Sequence, residues 1–499
     1  MAQRRFIHPS PPYMTPPKNN RCPMESIPVE IVIRIFTVAI EPAKLDKTDP
    51  DTTAEDDQSS SFDLGEEHAL SVDLEPQEVL THVCRRWRAI ALDMPSLWKY
   101  IDFSDGPPFD RSREWIRRTK DYPFDIILEC TRVDDLLMDE EEELGLEDEE
   151  EFAEYKAGFS SYDLGQVNPV DLPAIRNIIL PHVSHWGSFV FIADDRRVMN
   201  DMLSALSTAG EASELKTMLL SYDSYPVQEA PRPCTPFGGR APKLRKLEIT
   251  LVHLDWSQSS FLHGSSLTSL KATSQTESFR PSFVDFTHAL QGCSNLTNLE
   301  LSNFGPNEDI SSWPSSFVIQ LPSLNSLSLS NFKTSYLARL LQHLRFPVLR
   351  TLVARLFPLA NSDALVAALC DAVSLQGLIN LHIERTRISD RDTAGRLWTS
   401  LKSLRVLRID QNTMVSGGFR AVWMKKEHFP CVDSLMVSGI EGIGLQGLVS
   451  VRKGSLPLRR LGIEEGSVVT RDQERWLRQN VPEVAYFTND RPRFSDWYT

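Results

Sequence analysis

A short apolar phrase, L-x-x-L-x-L, returns along this chain at nearly constant intervals. The plainest copies are LRKLEIT from Leu244, LTSLKAT from Leu267, LTNLELS from Leu296, LNSLSLS from Leu324, LRTLVAR from Leu349, LINLHIE from Leu378, LRVLRID from Leu404, VDSLMVS from Val432 and LRRLGIE from Leu458. Weaker copies begin at Trp186 (WGSFVFI) and Leu215 (LKTMLLS). Successive starts lie 23 to 29 residues apart. A period of about 20–29 residues is that of a strand with a returning helical segment, stacked many times.

In each copy the leucines alternate with variable residues, so on an extended strand the two sets face opposite sides. No copy can bury its leucines alone; only stacking gives them a continuous core. The intervening patterns FVDFTHALQGC, SYLARLLQHLRF, DALVAALCDAV and TAGRLWTSLKS have helical period and return the chain. The expected fold class is α/β: a leucine-rich-repeat solenoid, a curved parallel sheet with outer helices and right-handed crossovers. Its variable residues would line a concave binding face. A repeat array also suits 499 residues, too many for one ordinary core.

The solenoid is expected over 99–485. Trp98, Tyr100, Ile101 and Phe103 suit a first strand, REWIRR a helix and FDIILEC a strand. An acidic loop at about 134–156 interrupts the start, and 226–242, rich in proline and glycine, reads as another loop. The segment DQERWLRQNVPEVAYFTNDRPRF is expected to cap the open end, with a C-terminal tail at 486–499.

The net charge of −15 is local in origin. Residues 41–78 and 139–154 each carry a net of −11, which leaves the rest of the chain at +7. Those remaining cations are dispersed, with no basic stripe of the kind nucleic acid requires. No apolar run approaches the roughly 18–20 residues of a membrane helix, so neither nucleic acid nor membrane is an expected partner. The basic, proline-rich N-terminus lacks the apolar centre of a secretory signal, so the expected location is cytoplasmic and/or nuclear. The seven cysteines are scattered, none in a C-x-x-C pair, as expected for reduced thiols.

Ahead of the repeats, residues 1–23 read as a disordered tail and 24–98 as a small all-α domain. In MESIPVEIVIRIFTVAI, residues Ile27, Ile31, Ile35 and Phe36 fall on one helical side. Residues at about 43–74 are polar and acidic and read as a disordered insertion. Helical period resumes through Val79, Leu80, Val83, Trp87, Ile90 and Ala91 until Pro95.

Ile27-Pro28-Val29-Glu30-Ile31 with Ile35-Phe36 resembles the opening of F-box helices. Val83-Cys84-Arg85-Arg86-Trp87, followed by Pro95-Ser96-Leu97-Trp98, resembles their close. The phrase C-R-R-W-R-x-I-A-L behind a polar insertion is similar to F-box-like proteins of mushroom-forming fungi. Two departures stand out: Ile27 replaces the family's leucine, and the insertion separates the two motif blocks. The resemblance implies a substrate-recruiting subunit of an SCF-type ubiquitin ligase, not itself an enzyme. It would dock on a Skp-type adaptor, and through it a cullin, by Ile27, Pro28, Ile31, Ile35, Phe36, Val83, Cys84 and Trp87. The alternative is a repeat scaffold for protein interactions that takes no part in ubiquitin ligation.

No catalytic residue, cofactor site or metal site is assigned. Gly442, Gly444 and Gly447 match G-x-G-x-x-G, but the repeat register accounts for them as a turn after the strand at Val432. His182 and His185 lack a third ligand at suitable spacing. Cys84 is expected to be buried and not a nucleophile. Among the outward positions, Arg355, His382, Glu384, Arg408 and Asp410 are expected to neighbour one another on adjacent strands and to contact a protein substrate.

Overall fold

The computed structural model describes residues 27–40, 75–131, 166–222, 232–274, 277–307, 309–314, 317–355, 362–410, 414–415, 422–423, 425, 428–453 and 456–487. The expected N-terminal tail, the insertion at 43–74, the acidic run at 139–154 and residues 488–499 lie outside them. The chain divides into two compact units: residues 1–99 with 116–120, and the remainder.

In the first unit, helix α1 (Val29–Ile40) buries Val32, Phe36 and Ile40, one side at offsets of four. Helix α2 (Pro76–His82) buries Gln77 and Leu80, with proline at its start, where a missing N–H costs nothing. Helix α3 (Arg85–Leu92) buries Trp87 and Ala91. The single periodic segment expected across Val83 is thus two helices. Cys84 is extended, and its Sγ accepts from the Trp87 amide at 3.4 Å, capping α3. Phe36 and Trp87 meet edge to face, centroids 5.0 Å apart, as the aromatic centre of the unit. Trp98 also belongs here rather than to a strand: it ends a short 3₁₀ turn, Pro95–Trp98, and donates to the Ala91 carbonyl at 2.9 Å. The Arg118 guanidinium lies 4.3 Å from its ring centroid.

The second unit carries one parallel sheet of 14 strands in strict chain order. They are β1 (Tyr100–Ile101), β2 (Phe124–Cys130), β3 (Trp186–Ala193), β4 (Thr217–Tyr222), β5 (Lys246–Thr250), β6 (Ser269–Thr273), β7 (Asn298–Ser302), β8 (Ser326–Ser330), β9 (Thr351–Arg355), β10 (Asn380–Glu384), β11 (Val406–Asp410), β12 (Ser434–Ser438), β13 (Arg460–Glu464) and β14 (Glu483–Phe487). Two short parallel pairs, Ile319–Gln320 with Leu344–Arg345 and Arg387–Ile388 with Met414–Val415, are separate from it. Phe103, expected in the first strand, has φ +60° and lies beyond β1. Strand β14 extends into the expected tail and ends at Phe487.

Register explains the spacing. One residue per strand forms an unbroken apolar column: Ile101, Ile126, Phe189, Met218, Leu247, Leu270, Leu299, Leu327, Leu352, Leu381, Leu407, Leu435, Leu461 and Val484. All are buried. The backbone leaves several strands through a left-handed residue: Leu251, Asn303, Asn331, Arg385 and Gly439 have φ between 48° and 68°. Asparagine and glycine accept that conformation readily; leucine and arginine adopt it at a cost of about 1–2 kcal/mol.

The glycines of G-x-G-x-x-G lie within the helix Gly442–Arg452, not in a turn. A Cβ on Gly442 would overlap the Gln473 side-chain amide, which closes the capping box with Thr470 on the next helix, Arg471–Asn480. Close helix approach therefore accounts for the first glycine. No helix among the described residues is long and apolar enough to cross a membrane.

Leu327→Ala, in the middle of the column, should destabilise the second unit by about 2–5 kcal/mol. Ser328→Ala, its half-buried neighbour on the opposite face, should change stability by no more than about 0.5 kcal/mol. Urea titration followed by circular dichroism separates the two outcomes.

Candidate functional site

Opposite the apolar columns, the sheet presents its variable residues. Their middle column runs Glu248, Lys271, Glu300, Ser328, Val353, His382, Arg408, Met436, Gly462 and Ala485. Its first four members are half-buried, with Lys271 Nζ 2.7 Å from Glu248 Oε1. From Val353 to Gly462 the column is buried, with His382 and Arg408 each only 1% exposed.

Glu384 organises this stretch. The register sets it opposite Arg355 and sets His382 opposite Arg408. Arg355 Nε lies 3.7 Å from Glu384 Oε2, and Arg408 Nη2 lies 3.5 Å from Oε1. His382 Nε2 donates a hydrogen bond to Oε1. Burial opposes the Glu384 charge, but the His382 hydrogen bond and the two guanidinium groups outweigh it. The carboxyl is held well below its usual range. Burial pushes the His382 imidazole down to about 4, so it is neutral at physiological pH. Asp410 is spent differently: its Oδ1 accepts from the Arg385 amide at 3.0 Å, fixing the left-handed turn after β10.

The five residues singled out on this face do stand together, but largely beneath the surface. Only Arg355 keeps substantial exposure, 38% of its side chain. The others cannot meet a partner as freely solvated side chains, a correction to the expected open surface. The expectation also missed the apolar members Val353, Met436, Gly462 and Phe487. Phe487 projects from β14 onto the same face, its ring centroid 4.6 Å from the Arg408 guanidinium carbon. A Cβ on Gly462 would come within 3.3 Å of that ring, so glycine makes room for it. The alternation of Glu483, Ala485 and Phe487 carried this signal, but without the leucine phrase.

The first unit offers a second surface. Of the eight residues named there, Pro28, Ile31, Ile35, Val83 and Cys84 are exposed and Ile27 is half-buried. Phe36 and Trp87 are core, so they shape the unit instead of serving as surface anchors. Cys84, expected to be buried, is exposed because it lies at the break between α2 and α3, where its sulfur caps α3. Ile31, Ile35 and Val38 repeat at offsets of four and three and make an exposed apolar stripe on α1. Val79, Val83 and Leu92 are exposed on and beside α2 and α3. By contrast, the thiols of Cys130, Cys234 and Cys293 are pushed up to about 12 by burial and stay protonated.

The buried imidazole has a pH signature. A histidine held below its free value of 6.5 favours the folded state when neutral. Its contribution is complete above about pH 6.5 and is lost as the pH falls toward about 4. Wild-type urea midpoints should therefore drop across that window more steeply than those of His382→Gln, which retains a donor for Glu384. Parallel pH profiles would remove histidine from this role.

The chain matches no protein-family model and no curated protein.

Proposed function

We infer that this chain is a non-catalytic recruiting subunit of an SCF-type ubiquitin ligase. An F-box-like first unit docks on a Skp-type adaptor, and through it a cullin, while the leucine-rich-repeat face holds a protein substrate. The observation that carries the reading is the apolar surface of the first unit. Eight of the sixteen exposed large apolar side chains among the described residues belong to this small unit: Val29, Ile31, Ile33, Ile35, Val38, Val79, Val83 and Leu92. Apolar side chains gathered in this way are the mark of a contact surface, whereas single ones scattered over a large domain are ordinary. The i, i+4, i+7 stripe on α1 suits a partner groove or a helix packed alongside.

The repeat unit supports the second half of the reading. It holds side chains of varied chemistry on a rigid sheet face, with lysine, glutamate, serine and asparagine open at the N-terminal strands. Mixed polarity of this kind suits a protein segment better than a polyanion.

Co-expression with a Skp-type adaptor tests the proposal. Wild type should co-purify. Ile31→Asp with Ile35→Asp should weaken adaptor binding by roughly 30-fold or more while helicity is unchanged, because both side chains are exposed anchors. Phe36→Ala should instead lower the unfolding temperature of the first unit. Absence of wild-type binding, or binding unaffected by the double substitution, overturns the proposal.

A further inference from the structure

Cations that are scattered in the sequence come together where the strands begin. Lys216, Arg245 and Thr268 each stand one residue ahead of a strand, β4, β5 and β6. The Arg245 amide donates to the Lys216 carbonyl and the Thr268 amide to the Arg245 carbonyl, each at 2.8 Å. The three positions are therefore in phase, about 4.8 Å from one to the next. Lys243, in the turn before β5, joins them.

With Ser265, Ser266 and Asn295 they line an open groove of about 450 Å³. Lys216, Lys243 and Arg245 are all exposed. Among the described residues, three cations and no acid line it. Glu214, outside the lining, is engaged by Lys243 Nζ at 2.6 Å. Three cations against that one acid leave two positive charges. The variable face is arranged differently: there Lys271 is answered by Glu248 and Arg355 by Glu384. A concave surface lined by one sign of charge concentrates ligands of the other sign.

The chemistry of the lining narrows the ligand. Arg245 offers a planar fork that can hold a carboxylate on two N–H groups, and Lys216 supplies a compact second charge. The Ser265 and Ser266 hydroxyls add neutral donors. No aromatic side chain lines the groove, so nucleic-acid bases would have nothing to stack on. Its open form suits a chain segment laid across it better than a small molecule, which is normally enclosed on most sides.

We propose that this groove docks an acidic segment of a partner protein, with neighbouring carboxylates on Arg245 and Lys216. It lies at the strand-entry edge of β4–β6, apart from the buried cluster around Glu384. The inference does not rest on adaptor binding, and no arm of its test contains the adaptor.

The test uses the full chain and a short fluorescein-labelled peptide of alternating glutamate and glycine. Fluorescence anisotropy at low ionic strength should show saturable binding. The same peptide with glutamine in place of glutamate should bind roughly 10-fold more weakly or worse. Lys216→Glu with Arg245→Glu should also weaken binding by roughly 10-fold or more. A charge-matched pair at exposed cations elsewhere in the unit, Lys453→Glu with Arg475→Glu, should leave it within about twofold. Equal losses in the two pairs would show that only the net charge of the chain is felt, and would overturn the proposal. So would absence of binding, equal binding of the glutamine peptide, or tighter binding of a single-stranded oligothymidylate of the same charge. The peptide comparison needs no variant, so it remains decisive even if a substitution unfolds the chain.

Discussion

The second unit depends on apolar side chains that cannot be buried within their own segment. Each copy of the repeat contributes a few leucines to a strand of about five residues, and a strand that short has no interior. Burial comes only from the strands before and after it. A fully buried leucine contributes about 1.5–3 kcal/mol, so a column through all 14 strands outweighs any local preference of individual residues. The same coupling fixes the register, because a slip of one residue would turn each leucine out and each charge in. Irregular features are tolerated around it: left-handed Leu251 and Arg385, or the long insertion between β2 and β3, which remain paired neighbours.

Once register is fixed, the opposite face is fixed as well. Glu384 meets Arg355 because their strands are adjacent and in phase, and His382 meets Arg408 for the same reason. Two arginines, one glutamate and Asp410 balance in charge, and the histidine remains neutral. A balanced set can be taken from water at far lower cost than an isolated charge. That is why charged residues persist in a stretch where Val353, Met436 and Gly462 are already shielded.

The period made the apolar columns legible from residue order alone, and with them the neighbours on the variable face. Burial of that face was not legible, since it depends on what lies above the strands. Strand β14, whose Phe487 reaches over part of that face, has Val484 and Tyr486 where most other copies have leucine or isoleucine. In the first unit, α1 is apolar on nearly every side: Val29, Ile31, Val32, Ile33, Ile35, Phe36, Val38 and Ile40. Periodicity cannot separate core from surface in such a helix. The side expected from residue order, Ile27, Ile31, Ile35 and Phe36, mixes exposed Ile31 and Ile35 with core Phe36; the core side of α1 is Val32, Phe36 and Ile40, with Trp87 against Phe36. The break at Cys84 was equally hidden, since cysteine is an uncommon helix cap.

A sheet built in strict chain order has its least supported strands at its two edges. The strand that brings Phe487 onto the variable face is one of them, held laterally by β13 alone. In arrays of this kind local opening starts at the ends and moves inward unit by unit. Fraying of β14 would then bare Arg408 and His382 well before the central leucines feel water. Amide exchange at that edge, rather than global unfolding, would set how often the charged cluster meets solvent.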